Sequence, residues 1–593
     1  MSRRSFYAQL LCIIICAVTL TRSDAYFAPY VLAALFSVFC LVCNRRKKPE
    51  KSRAMTITVI VLSVFFSLLM LLVNHVIWYR PQFGASYGLL VYRALKLFVM
   101  LAIILGSFVS VYNMLIFILS TKDSYPLGRE KSDGTKDYLC FVIPFAVFMT
   151  VYCLIYFLCY YPGILSIDSI DQITQMFTGV YSNHHPLSHT LLVQLFLKTG
   201  LAVSSDMNRA VSVYVIFQMI FMSATFAFTV STMKKMRIHR ALVIASAVFF
   251  AVMPFHIMFS FTIWKDVIFG AAVTLFVVSA TRIMKNIGNA AVNYTVAAVS
   301  SVMFCLTRSN GLFAFVIVAA AVFLLMRKHM KLFVIMVSAI VISLVIKHGV
   351  FSMFDVAPPD TVEMLSIPLQ QVARVNSEGG YMSDEDISLL SEIIDVEAAK
   401  TAYDPGLSDP IKNMIRDFGN QQFITQNRGR FISLYLRTFI HNPVLYFIAW
   451  ADQTKGFWNS GYPCMVWFGG IENNSLGIRP AIASPAMRAV FESYLRLFYE
   501  NPVFQVFVSI GLFVWAMLLM LYRSLAGGNK SGIIATMPIA AIVLSLVIST
   551  PAFSEFRYVY ALFCLLPFIA AAALTEEEDI TADKEHSSYE EGK

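Results

Sequence analysis

Charge is what this sequence has least of. Only 14% of its 593 residues are Asp, Glu, Lys or Arg, where soluble domains carry about a quarter, so a single water-soluble globule is excluded. The formal net charge of +10 is not gathered into a dense basic patch, which argues against nucleic acid as a partner. No GxSxG, P-loop or GxGxxG fingerprint carries weight. His184, His185 and His189 lie near two aspartates, but neither CxxC nor HExxH spacing accompanies them. A divalent metal is therefore not supported by ligand spacing, no cofactor is specified, and contact with an anion or a hydroxyl suits these rings better. Nine of the ten cysteines lie in or beside apolar runs and only Cys464 falls in a large loop, so no disulfide framework is expected.

What fills the chain is apolar: 58% of residues are hydrophobic, 14% are aromatic, and mean hydropathy is +0.68. A helix crossing a bilayer needs about 20 mostly apolar residues. Fourteen such runs are expected, near 6–22, 25–43, 55–74, 97–119, 139–160, 210–232, 241–261, 266–281, 290–306, 311–326, 332–352, 503–522, 532–550 and 558–574. The fold class is thus an all-α polytopic membrane protein. The first run is expected to stay uncleaved, because Arg22 and Asp24 intrude where a signal-peptide site needs small residues.

Lys and Arg alternate between the connecting loops. The loops at 44–53, 121–138 and 233–240 hold six, four and four, and those at 282–289, 327–331 and 523–531 hold two, three and two. The intervening short loops hold one each, and 161–186 holds none. Because cytoplasmic loops are the positive ones, both termini are expected in the cytoplasm of a plasma-membrane protein. The expected organisation is a four-helix membrane module at 1–138, a core at 139–352 with an outer loop at 161–209, a mainly α extracytoplasmic domain at 353–502, C-terminal spans at 503–574, and a disordered acidic tail at 575–593. Within the outer domain, 383–394 reads as a capped amphipathic helix.

Carboxylates near hydrocarbon are costly and are functional candidates by default. Setting aside the outer domain, the tail, the cytoplasmic loops and Asp24 leaves Asp168, Asp171, Asp206, Asp266 and Glu555, all expected on the outer side. In the 161–209 loop, Asp168, Asp171, Gln172 and Gln175 follow helical spacing and predict one polar stripe. Pro162 and Gly163 break the preceding span. Beyond Pro186, Thr190, Gln194 and Lys198 recur every four residues, which predicts an interfacial amphipathic helix that does not cross.

These segments resemble the GT-C superfamily of integral membrane glycosyltransferases, notably its protein O-mannosyltransferase and aminoarabinose-transferase branch. Asp168 follows YPGILSI, where the family has a catalytic Asp before two juxtamembrane helices, and HHPL at 184–187 stands where the family has an HPPL-like segment. Arg209 and Ala210 match the family's next span opening, and FTIWKDVIFG at 261–270 resembles its Asp-bearing turn through Asp266. LTRSNGLF at 306–313 resembles a later turn, and SEFRYVYALFCLLP resembles the family's ending through Glu555, Arg557, Tyr558 and Pro567. Two features depart from the family: Ser169 replaces the acid that often follows the Asp, and HHPL has one Pro. The chain also resembles uncharacterised multi-pass proteins of Gram-positive bacteria with a YPG…DS…HHP loop.

The resemblance implies a GT-C-like core and a polyprenyl-phosphate sugar donor. It also implies a glycan, lipid or protein acceptor in the cell envelope, and transfer on the extracytoplasmic face. It assigns Asp168 as general base with inversion at the sugar, Asp171 being the alternative. A phosphate leaving group needs little protonation, so one base can suffice. Lys265, Arg308 and Arg557 are the candidate cations for the donor phosphate, assisted by His184 or His185, with Asp266, Glu555 and Tyr558 also expected at the substrate. Two rivals stay open: a flippase or transporter of lipid-linked saccharides, and a polysaccharide–lipid ligase.

Overall fold

In hydrocarbon a backbone N–H or C=O finds no water, so each must be paired within its own segment, and helices are the simplest solution. The computed structural model describes residues 3–21, 27–46, 53–79, 89–121, 138–357, 360–462, 464 and 469–575. The acidic tail beyond 575 and most of the basic loops at 44–53 and 121–138 lie outside them. The described residues form helices and isolated bridges, with no sheet.

Among the described residues, eleven helices are long and apolar enough to cross a membrane, or twelve if the bent pair Arg240–Val252 and Pro254–Ser260 counts as one. All fourteen expected runs return as helical segments, and the difference lies in the bent pair and in two short helices. The runs at 290–306 and 311–326 become Ala290–Leu306 and Gly311–Leu325, of 17 and 15 residues. At 1.5 Å per residue these measure about 26 and 22 Å, at the short end of what spans a bilayer, and Ala290–Leu306 returns the chain from the far end of Lys265–Met284 to Arg308 beside Asp266.

The Lys265–Met284 helix is the hub and is buried almost throughout. Met207–Lys235, Ala290–Leu306, Lys530–Ser549 and Tyr560–Ala573 pack around it. The four N-terminal helices Arg3–Leu20, Ala28–Arg46, Arg53–Val73 and Leu89–Ser120 pack chiefly on one another. There, a Cβ on Gly106 would lie 2.1 Å from Cys16 Cβ, a small-residue contact of the kind that lets helices approach in lipid. The group joins the rest through the Phe66 and Trp515 rings, 4.6 Å apart, and Arg523 Nη1, which donates to Thr121 O at 2.6 Å. An apolar cavity of about 1010 Å³ lies between these N-terminal helices and Ile510–Gly527.

Two breaks shape the other end of the bundle. The Leu139–Ile155 helix continues through a wide turn to Tyr160, and Gly163 then takes φ +136°, where a Cβ would meet Val215 and the Phe261 carbonyl. The expected single span at 241–261 is instead bent by 54° at Pro254, whose missing N–H interrupts the helical ladder. The two broken segments then pair: Ile164 N donates to Phe261 O and Ile263 N donates to Ile164 O, each at 3.0 Å. The Gln218 side-chain amide nitrogen lies 2.8–3.1 Å from the carbonyls of Phe259, Ser260 and Thr262, fixing that turn from below.

A second hydrophobic cluster, including Val362, Leu369, Val375, Ile393, Ile415, Leu434 and Tyr446, holds together the short helices between 361 and 454. The expected capped helix is Asp384–Ser391, with Ser383 and Asp386 forming a reciprocal capping box. By contrast, Phe491, Leu495 and Phe498 join the main bundle core.

Candidate active site

Pairing of 164 with 261–263 sets two helix starts side by side. Ile167–Thr178 begins with Asp168 in its first turn, and Lys265–Met284 begins with Lys265 and Asp266. Ser166 and Ser169 fasten the junction: Trp264 Nε1 donates to Ser166 Oγ at 2.8 Å and Ser169 Oγ donates to Ile263 O at 2.7 Å. Ser169, at the position where the resemblance anticipates a second acid, is fully buried and serves as this fastener.

Asp168 meets three basic groups. Arg557 Nη1 lies 2.9 Å from its Oδ2, Lys265 Nζ 3.7 Å and His185 Nδ1 4.0 Å. Arg557 is held in turn by Glu555, whose Oε2 accepts from Nε at 3.2 Å, and its guanidinium lies 5.0 Å from the Trp264 ring. Lys265 Nζ donates to His185 Nδ1 at 2.9 Å, so that imidazole is neutral with its proton on Nε2. Burial opposes the charge on Asp168, but the cations Lys265 and Arg557 outweigh it and hold the carboxyl well below the usual range. Burial, reinforced by Lys265, lowers the His185 pKa. Glu555 moves the other way, raised by burial despite Arg557.

Asp168 keeps 29% of its side-chain surface accessible, whereas Asp266 keeps none. Asp266 faces Arg308, with Oδ1 2.9 Å from Nη1, and the same Nη1 donates to the Tyr558 carbonyl at 2.8 Å. The Tyr558 ring lies against both guanidiniums, 4.5 Å from Arg308 and 5.4 Å from Arg557. The predicted residues thus fall into two linked groups. Asp168, His185, Lys265, Glu555 and Arg557 surround an accessible carboxylate, while Asp266, Arg308 and Tyr558 form a buried clamp behind Arg557.

Asp171 and His184 are exposed at the rim. Partial desolvation and the neighbouring Asp168 charge raise Asp171. The loop before His184 is pinned by Asn183 N donating to Ala357 O and Ala357 N to Tyr181 O, each at 2.9 Å. Asp206 is not in the cluster; it caps Met207–Lys235 by accepting from Arg209 N at 3.0 Å.

The polar stripe of the Leu187–Val203 helix is divided: Thr190 and Gln194 are buried, while Lys198 is exposed together with Leu195 and Val203, Val203 being 87% exposed. The buried part is used inside: Gln172 Nε2 donates to Thr190 Oγ1 at 3.0 Å, and His189 bridges Gln172 Oε1 at 3.1 Å and Tyr214 OH at 2.9 Å. Burial, with Lys265 nearby, pushes His189 down to about 3, so its ring is neutral. Periodicity locates such a stripe but not the direction it faces, and this network escaped sequence reasoning for that reason. Among the described residues no three His, Cys, Asp or Glu side chains converge as metal ligands.

Gly200 sets how closely this helix approaches Met207–Lys235. A Cβ there would lie 2.5 Å from Ala210 Cα and 3.1 Å from its carbonyl. Neither atom belongs to a flexible side chain, so Gly200→Ala is expected to cost about 1–3 kcal/mol, read as a lower thermal midpoint in detergent.

Residues 172–587, well over half of the chain, match the family described as a family of unknown function, DUF6020. The chain belongs to that family. The DUF6020 match spans His184, His185, Lys265, Asp266, Arg308, Glu555, Arg557 and Tyr558 and begins just after Asp168 and Asp171. No curated protein and no solved structure matches the chain.

Proposed function

We propose that this DUF6020 protein is a GT-C-type membrane glycosyltransferase that moves a sugar from a polyprenyl-phosphate donor to an acceptor hydroxyl at the extracytoplasmic face. The observation that carries the reading is Asp168, an accessible carboxylate at a helix start with Lys265 and Arg557 beside it. It lies at the end of an apolar bundle, where a lipid headgroup would stand. In the proposed step, Asp168 takes the acceptor hydroxyl proton and the acceptor oxygen bonds to the anomeric carbon. The carbon–oxygen bond to phosphate breaks, and its electron pair leaves with polyprenyl phosphate. General-base help contributes about 10²–10⁴-fold. Cations aimed at the phosphate act where charge develops in the transition state.

A flippase would place its binding groups near the bilayer midplane, often at broken helices in both halves. The charged groups here gather at one end of the bundle, which supports surface chemistry over transport. The test is purified protein in liposomes, offered polyprenyl-phosphoryl sugars with a cell-envelope extract as acceptor source. Release of polyprenyl phosphate with sugar transfer is expected, and Asp171→Asn is expected to retain activity within about tenfold, because Asp171 lies outside the cation cluster. No release with any donor would overturn the reading.

A further inference from the structure

The same geometry that recommends Asp168 also restrains it. Both Arg557 Nη1 and Lys265 Nζ approach one oxygen, Oδ2, at 2.9 and 3.7 Å. A carboxylate neutralised by two cations is a weak base, and a general base works best with its pKa near the operating pH. Among the described cations of the cluster, these two are the most open to a ligand. Arg308 is committed to Asp266 and the Tyr558 carbonyl, whereas Lys265 and Arg557 keep 17% and 18% of their side chains accessible.

Charge counting links the two demands. A sugar phosphodiester carries one negative charge and its monoester product carries up to two. As the acceptor proton reaches Asp168, one negative charge leaves the carboxylate and one appears on phosphate. The charge facing the two cations is unchanged; only its location moves.

We propose that Lys265 and Arg557 are shared cations, held by Asp168 in the geometry described here and passed to a lipid phosphate as it binds. Asp168 then becomes basic enough to accept a proton only in donor-loaded protein. The donor phosphate is both substrate and switch, and acceptor hydroxyls are not activated ahead of it. His185 and Glu555 keep the two cations positioned during the exchange through their bonds to Lys265 Nζ and Arg557 Nε. The proposal rests on the assignment of Asp168 as base, but it has a readout that needs no sugar transfer.

A carbodiimide labels protonated carboxyls, so adduct formation on the Asp168 peptide, followed by mass spectrometry, reports its basicity in the full-length protein. Farnesyl phosphate, a product-like monoester, is expected to raise the labelling rate about tenfold for each unit by which the carboxyl rises. Farnesol, lacking the phosphate, is expected to leave it unchanged, and Asp168→Asn controls for the site. Lys265→Gln is expected to raise the label without lipid, and Lys265→Arg to restore the wild-type level, which separates charge from folding. Unchanged or reduced labelling with farnesyl phosphate would overturn the proposal. Sugar transfer with flat labelling removes only the handover, whereas phosphate-driven labelling without transfer removes only the glycosyltransferase reading.

Discussion

Asp168→Asn is expected to lower the turnover of sugar transfer by about 10²–10⁴-fold while leaving the protein folded and donor binding intact or tighter. Asparagine keeps the size of the side chain and its first-turn position but cannot accept the acceptor proton. Folding is expected to weaken by less than the roughly 3–5 kcal/mol lost when a fully buried pair is broken, because 29% of the Asp168 side chain is accessible. Donor affinity provides the sharper signature. Without the carboxylate, Lys265 and Arg557 lose the anion that a donor phosphate must displace, so the donor KM should stay level or fall as kcat collapses. A turnover equal to wild type would remove Asp168 as the base. A raised KM with unchanged kcat would make it a binding group instead.

A second large effect is expected away from this cluster, at Asp452. Its carboxylate is buried among His75, Arg374 and Lys455: His75 Nε2 lies 3.0 Å from both oxygens, Arg374 Nη1 2.7 Å and Lys455 Nζ 2.9 Å away. His75 follows the third N-terminal helix, Arg374 lies on the Ser366–Ser377 helix, and Asp452 lies on Pro443–Thr454. One carboxylate therefore ties three parts of the chain together. Removing one partner of a buried ion pair costs about 3–5 kcal/mol because the other charge is left buried. His75 and Lys455 remain, so Arg374→Met is expected near the lower end, about 3 kcal/mol, measured as a lower thermal midpoint. Removing both charges in Arg374→Met with Asp452→Leu should recover part of that loss. An Arg374→Met protein as stable as wild type would show that the tie carries no weight.

The same site makes a pH prediction. Burial opposes the Asp452 charge, but His75 and Lys455 overcome it and hold the carboxyl below its ordinary range. A group whose folded pKa is depressed stabilises the fold above its unfolded pKa and loses that contribution as pH falls toward the folded value. Wild type should therefore lose stability on acidification below the ordinary carboxylate range, and a protein lacking Asp452 should lose less.

Much of this molecule is legible in its residue order. Apolar runs of bilayer length identify the class, because no soluble core accommodates so much continuous apolar sequence at 14% charge. The helix at Ile167–Thr178 and the capped helix at Asp384–Ser391 follow from local spacing and capping residues, which act within one turn. Span number was less legible. Composition shows where an apolar run lies, but a turn of polar residues at 307–310 and the proline at 254 decide how long a straight helix becomes. The Asp452 tie was not legible, since beyond the adjacent Lys455 its partners lie far off at residues 75 and 374.

From the sequence by itself come the all-α membrane class and a short set of acids and bases outside the hydrocarbon runs. Charge is so costly in lipid that the few charges present must cluster at the ends of spans. Only the tertiary structure decided which of them act together. It brings Arg557 to Asp168 across 389 positions of sequence, seals Asp266 with Arg308, and turns His189 inward to Tyr214. Hydrogen bonds and ion pairs act over a few ångströms of space, and no periodicity along the chain encodes which distant helix ends will meet.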